Sequence, residues 1–256
     1  MNARTHSTAV MARRVEPADS LDFFPTPPWA TRAFCEHVLQ RIWFGPTPFD
    51  CTVEDPACGE GHMALALAEY FTEARASDIF GYGYGAVQDF LHPDHRPTGV
   101  DWFITNPPFN LALDFVEKAL TFARRGVAML VRTQFQEGEE RFERLFSRRP
   151  PQWIAQHVER VPMHRGRWVV NGTSATAYQW LIWFKHPAHR DIEVGTRFMW
   201  IPKSRRTWSR HDDWLRFGGC WDLPKEHKAL QLQDRRYLAP ALTLAEVRAE
   251  MQGALL

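Results

Sequence analysis

The sequence predicts an α/β fold in which helices cover both faces of a mostly parallel sheet. Three observations lead there. Short strand-forming runs alternate with runs of helical periodicity from about residue 52 to residue 184, the pattern of successive strand–helix units. Glycines gather at one strand-to-helix turn, Cys58-Gly59-Glu60-Gly61, where such folds bring backbone close to a ligand. And 256 residues that are 45% hydrophobic and 24% charged can bury a core without disulfide staples.

Residues 1–20 are polar and mixed in charge and read as a flexible arm. Pro25, Pro27 and Pro28 mark a loop. Ala30, Ala33, Phe34, Val38, Leu39 and Ile42 then recur at helical spacing within Trp29 to Phe44, and Gly45-Pro46 ends that helix. Thr52 to Glu54 is the first strand, Met63 to Phe71 a helix rich in Ala and Leu, and Ala74 to Ile79 the second strand. After Gly81, Gly83 and Gly85 come a strand at Trp102 to Thr105, an amphipathic helix at Leu111 to Phe122, a buried strand at Val127 to Arg132, a helix at Glu139 to Ser147 and a long aromatic strand at Ala177 to Phe184. Beyond residue 187 the alternation stops until an amphipathic helix at Leu242 to Met251. Residues 187–256 therefore read as a C-terminal extension to a main domain of residues 21–186, either a small lobe or a segment wrapped on that domain.

Composition excludes several function classes. Cys35, Cys51, Cys58 and Cys220 form no C-x-x-C pair, and His92/His95 and His186/His189 lack a third ligand at a metal-binding interval, so no metal is expected. Residues 1–20 lack the apolar run of a signal peptide, and stretches such as Trp180 to Phe184 are far too short to span a bilayer. A reducing, cytoplasmic setting and no membrane partner are expected. The formal net charge of +1 hides a segregation: residues 1–130 carry 10 Lys/Arg and 16 Asp/Glu, residues 131–256 carry 21 and 14. The window Arg144 to Arg210 is the extreme, with 13 basic and 3 acidic side chains interleaved with tryptophans, among them Trp153, Trp168, Trp180, Trp183 and Trp200. Such a mixture suits phosphates and stacked bases, or else a solvated basic face over a Trp-rich core.

Two motifs carry the chemistry. Asp55-Pro56-Ala57-Cys58-Gly59-Glu60-Gly61 follows the first strand, and Ala64 stands where a dinucleotide fingerprint needs its third glycine, which argues against hydride transfer. Asp78 ends the second strand, where a carboxylate can accept hydrogen bonds from both hydroxyls of a ribose. Thr105-Asn106-Pro107-Pro108-Phe109 ends the next strand. The prolines fix the backbone and leave preceding carbonyls free to accept. Asn106 Oδ1 and the Pro107 carbonyl can take the two N–H bonds of a planar amine while Phe109 stacks on the attached ring.

Here the chain resembles the S-adenosylmethionine-dependent amino-methyltransferases, in particular the DNA adenine-N6 methyltransferases of bacteria and phages, over about residues 22 to 185. Phe24-Pro25-Thr26-Pro27 is similar to the family's F-x-T-P element, Asp55 to Gly61 to its D-P-x-C-G-x-G loop, Asp78-Ile79 to the ribose-binding acid and its neighbour, Asp89-Phe90 to the element that holds the cofactor's adenine, and Thr105 to Phe109 to its catalytic N-P-P-F. The resemblance implies a seven-stranded Rossmann-like class I methyltransferase sheet with the last strand antiparallel. It implies Asn106, Pro107, Pro108 and Phe109 as catalytic residues, and Phe24, Thr26, Pro27, Asp55, Pro56, Ala57, Cys58, Gly59, Gly61, Asp78, Ile79, Asp89, Phe90 and Asn106 as cofactor-binding residues. It further implies S-adenosylmethionine as cofactor and a flipped-out adenine in DNA as target. The basic connection Met163 to Thr176, including Asn171 and Gly172, would lie near the target base, with Arg165, Arg167 and Trp168 touching nucleic acid. Arg205 and Arg206 are candidate contributors to target recognition. An RNA adenine methyltransferase is the runner-up. A protein-glutamine methyltransferase is disfavoured by Phe109 where that group usually has Tyr, and a non-catalytic nucleic-acid-binding module is the reading of a different class.

Overall fold

The computed structural model describes residues 21–43, 47–169, 172–185 and 195–218. Eight strands form one sheet: β1 (Thr52–Asp55), β2 (Glu73–Asp78), β3 (Ala86–Val87), β4 (Trp102–Thr105), β5 (Gly126–Arg132), β6 (Trp153–His157), β7 (Tyr178–Phe184) and β8 (Arg197–Ile201). Their order is β3-β2-β1-β4-β5-β7-β6-β8. Strands β1 to β5 pair in parallel, and β7 runs antiparallel to both β5 and β6. The fold is thus the expected Rossmann-like sheet with a reversed seventh strand. The order turns back between β1 and β4, so the carboxyl ends of these two strands, carrying Asp55 and Asn106, flank the crevice where such sheets place ligands.

The expected count of seven is exceeded by β8, which joins the edge in parallel with β6. Its two outward side chains are aromatic, Phe198 at 47% and Trp200 at 65% exposure, while Ile201 is fully buried. An edge strand that is apolar on both sides loses the alternation by which sequence reveals strands. At the other edge β3 is only two residues long and hidden among glycines, and it too escapes the sequence pattern.

The central strands are buried on both faces, as in parallel sheets covered by helices. Trp102, Ile104, Ala128, Leu130, Trp180 and Ile182 turn to one face and pack with Trp29, Phe34 and Val38. Phe103, Val127, Met129, Val131, Leu181 and Trp183 turn to the other and pack with Phe115, Val116 and Ala119 of the Ala112–Phe122 helix. The first helix runs from Pro28 to Phe34, passes through a π-helical turn at Cys35–Leu39 and ends at Gln40–Ile42. Its Phe34 stacks on Trp180 with ring centroids 4.1 Å apart. The second helix is shorter than its periodicity suggests, His62–Leu67, because residues 68–70 close it in a turn.

The part of the C-terminal extension within the described residues lies on the main domain. β8 belongs to the sheet, and the short helices Arg205–Trp208 and His211–Asp213 are held to the first helix by Arg32, which bonds the Trp208 carbonyl and both carboxylate oxygens of Asp213. The arm at 1–20, the Gly45-Pro46 helix stop, Asn171, His186, His189 and the Leu242 to Met251 helix lie outside the described residues. Among the described residues no helix is long and apolar enough to cross a membrane.

Candidate active site

Three loops at the carboxyl ends of β1, β2 and β4 and the segment before the first helix enclose one pocket. Phe24, Thr26, Asp55, Pro56, Ala57, Cys58, Asp78, Ile79, Asp89, Phe90, Asn106 and Pro108 all line it, so residues separated by more than 80 positions in sequence converge as the motifs anticipate. Pro27, Gly59, Gly61, Pro107 and Phe109 do not line it but each neighbours a lining residue in the chain. The Pro27 carbonyl accepts the Ala30 N–H at 2.9 Å and starts the first helix. Gly59 and Gly61 take left-handed φ angles of +52° and +89°, which L side chains rarely adopt, and a Cβ on Gly59 would meet the Phe23 ring at 2.2 Å. The loop therefore needs glycine for its backbone path and for the aromatic ring lying against it.

The pocket is acidic. Asp22, Asp55, Asp78 and Asp89 line it, with no Lys or Arg among the described lining residues. The Asp55 carboxylate is buried, and burial lifts its pKa to about 7, against which the Ala57 N–H donates at 3.3 Å. Asp78 accepts the Gly59 N–H at 2.9 Å on one oxygen and the Phe80 N–H at 3.1 Å on the other. Burial still outweighs these bonds and raises its pKa to about 6. Asp89 is pinned by the Leu91 N–H at 2.9 Å, and Phe90 is buried beside it among Phe103 and Phe115.

At the end of β4 the Asn106 amide nitrogen donates to the Phe24 carbonyl at 2.8 Å. That bond decides the orientation of the amide, since only its nitrogen can donate to a carbonyl. The opposite atom, Oδ1, is buried with no hydrogen-bond donor among the described residues. A buried acceptor left open is costly, by about 1–3 kcal/mol, and is uncommon unless water or a ligand supplies the donor. The loop is rigid around it: the Phe109 N–H donates to Asp22 Oδ2 at 2.5 Å, the Leu111 N–H to the Pro108 carbonyl at 3.0 Å, and the Phe109 ring packs against Phe24 and Tyr178 with centroids 5.2 and 6.0 Å away.

The connection between β6 and β7 reaches the rim of this pocket. The Gly166 N–H donates to the Phe23 carbonyl at 2.8 Å, and a bridge pairs His164 with Arg167. Arg165 and Arg167, on either side of Gly166, are exposed there. Arg205, half-buried, reaches the same connection through the Gly172 carbonyl at 3.4 Å, and Arg206 is exposed beside it. Trp168 departs from the expectation. It is only 4% exposed, its ring set edge-on to His62 at 6.3 Å, so it braces the connection from beneath and offers nucleic acid no face. Trp180 and Trp183 are likewise core residues. In the basic window the tryptophans mostly build the core, and the arginines hold the surface.

Sequence reading missed Tyr82 in the pocket lining, and Tyr84 and Met163, which touch residues of the site without lining the pocket. Tyr82 stacks against Phe23 at 4.5 Å, and the Tyr84 ring lies where a side chain on Gly61 would go. Their signal was the alternation Gly81-Tyr82-Gly83-Tyr84-Gly85, in which the glycines draw the eye and the tyrosines meet the ligand loop. Met163 opens the basic connection expected near the target base, but no contact was assigned to it; its sulfur receives the Asn106 amide at 3.4 Å and the Thr26 hydroxyl at 3.8 Å.

Comparison with known proteins adds outlines. No family model matches the chain, and no curated protein matches it in sequence. Among solved structures it is similar to the methyltransferase subunit of a type I restriction-modification system from Streptococcus thermophilus, at 12% identity and a TM-score of 0.46 over 62% of this chain and 44% of that one. A subunit assigned to modification in a type I restriction enzyme of Vibrio vulnificus gives 13% and 0.46 over 84% and 53%. A protein assigned as an RNA methyltransferase from Pyrococcus horikoshii gives 15% and 0.47 over 66% and 90%. The chain spans about half the length of the first two. The fold assignment rests on the strand order of this chain and the site on its own geometry.

Proposed function

We propose that this protein transfers a methyl group from S-adenosylmethionine to the exocyclic N6 amine of adenine in DNA. The observation that carries the reading is the buried Asn106 Oδ1, open to a donor at the end of β4, while its amide nitrogen is tied to Phe24. A conjugated amine offers the N–H such an acceptor requires. The pocket beside it suits the cofactor: carboxylates with no lysine or arginine among the described lining residues favour a cationic ligand with hydroxyl and amine donors.

When bound, S-adenosylmethionine supplies an electrophilic methyl group. The chain's part is positioning. Asp78 would accept ribose hydroxyls and Asp89 the adenine amine, with Phe90 beside the ring. Asn106 and the Pro107 carbonyl would accept the target's two N–H bonds, drawing the nitrogen toward a tetrahedral shape with its lone pair directed at the methyl group. The exposed Arg165, Arg167 and Arg206, with Arg205, would meet phosphates and set register without reading bases. The Phe24-Pro25-Thr26-Pro27 element supports DNA over RNA. Incubation with cofactor and parallel DNA and RNA substrates, followed by nucleoside mass spectrometry, tests the reading; no methyladenosine in either pool would refute it.

Two further outcomes are expected. Arg165→Ala with Arg167→Ala should weaken DNA binding at low salt and flatten its salt dependence by about one unit of slope for each phosphate no longer neutralised. Unchanged affinity would remove the hairpin from the interface. Cofactor affinity should rise from pH 5 to pH 8, because Asp55 and Asp78, raised to about 7 and about 6 by burial, must be ionised to accept donors and face a cation. The linked effect on the ligand-free fold has the opposite sign. Carboxyl groups with raised folded-state pKa values stabilise most below the unfolded value near 3.8, and that contribution is lost as pH rises through 6 to 7. Calorimetric titration across this range, with Asp78→Asn as control, checks both; a flat profile would contradict them.

A further inference from the structure

Arg132, the last residue of β5, has no place in the chemistry derived so far. Its guanidinium carbon lies 3.9 Å from the centroid of the Phe109 ring and 5.9 Å from that of Phe24. Its Nε is buried without an acceptor, and no carboxylate pairs with it among the described residues. An arginine held on aromatic rings with no counter-ion is a cation awaiting an anion. At 3.9 Å it also covers the ring face on which a target base would stack.

We propose that Arg132 is a target-positioning residue that leaves Phe109 as the base enters and takes a phosphate of the same extruded nucleotide. The inference rests on the methyltransferase reading and deepens it. Among the described residues two groups at the site lack a counterpart, a hydrogen-bond donor for Asn106 Oδ1 and a counter-ion for Arg132, and both residues contact Phe24. Together they call for a ligand with an amine donor and an anion a short distance apart. A nucleotide has both, whereas a glutamine side chain has only the first. The moving part is Arg132 and not Phe109, because the Phe109 backbone is tied to Asp22 at 2.5 Å and follows two prolines, while a half-buried arginine at a strand end can swing on its own torsions.

The test is the salt dependence of kcat/KM for methyl transfer to unmethylated DNA of mixed sequence, using Arg132→Gln and Arg132→Lys in the full chain. Gln keeps a planar group over Phe109 but no charge, and Lys keeps the charge without the planar stack. The slope of log kcat/KM against log salt should become shallower by about 0.9 in the Gln variant, the equivalent of one phosphate fewer, and stay near wild type in the Lys variant. S-adenosylhomocysteine affinity should match wild type in both, which excludes misfolding, since Arg132 does not line the cofactor pocket. A Gln variant with the wild-type slope, or a Lys variant as shallow as Gln, overturns the role of Arg132 and leaves the methyltransferase reading standing. A wild-type protein that binds S-adenosylhomocysteine but methylates no nucleic acid overturns both.

Discussion

Asn106→Ala should lower the rate of methyl transfer by about 10²–10³-fold or more, the scale seen when one preorganised polar group is removed from a reacting centre, while S-adenosylhomocysteine still binds. Asn106 has two separable duties. Its nitrogen fastens the 105–109 loop to the segment before the first helix through the Phe24 carbonyl, and its oxygen is buried without a donor among the described residues. Asn106→Asp separates them. A carboxylate keeps an acceptor toward the site but sets an anion against the Phe24 carbonyl, so the loop loses its anchor and activity falls although an acceptor remains. Single-turnover rates for both variants, beside calorimetric binding of S-adenosylhomocysteine, measure the two duties. A near-normal rate in Asn106→Ala would rule out the mechanism.

Arg32→Ala should cost about 3–5 kcal/mol, the range for removing one partner from a buried charge network. Arg32 is 2% exposed. It donates to both oxygens of Glu69 at 2.8 and 2.6 Å, to both oxygens of Asp213 at 2.6 and 2.7 Å, and to the Trp208 carbonyl at 2.9 Å. Truncation leaves the Asp213 carboxylate buried without its counter-charge and unties the C-terminal segment from the first helix. At about 2–4 °C per kcal/mol for a protein of this size, the melting temperature should drop by roughly 10 °C, with proteolysis appearing first between residues 195 and 218. Arg32→Met combined with Glu69→Met and Asp213→Leu should regain much of the loss, since well-packed apolar side chains of similar volume leave no buried charge uncompensated. A single variant as stable as wild type would show that the segment is held by other interactions.

The parts of the fold that were legible in sequence are those encoded by neighbouring residues. The sequence pattern matches β4 to the residue, and β1, β2, β5 and β7 to within a residue or two at either end, because β4, β5 and β7 are near-continuous apolar runs and the mixed β1 and β2 are bounded by turns and a helix. The 105–109 loop and the glycine loop were legible because two prolines and two glycines dictate backbone paths locally. β8 was not, since its exposed positions are aromatic, and β3 is too short to show a period at all. Trp168 was misplaced for a related reason: a tryptophan amid arginines has the same sequence signature whether it faces a base or the protein interior.

By itself the sequence determined the alternation of strands and helices, the two motif loops at 55–61 and 105–109 and the separation of acidic from basic halves, because each depends on residues close together in the chain. Tertiary structure alone decided which side chains share a space. It brought Phe24 to Asn106 across 82 positions and Asp213 to Arg32 across 181, laid Arg132 on Phe109 and turned Trp168 inward. Those pairings follow from strand order and the burial of both sheet faces, which only the folded chain as a whole sets.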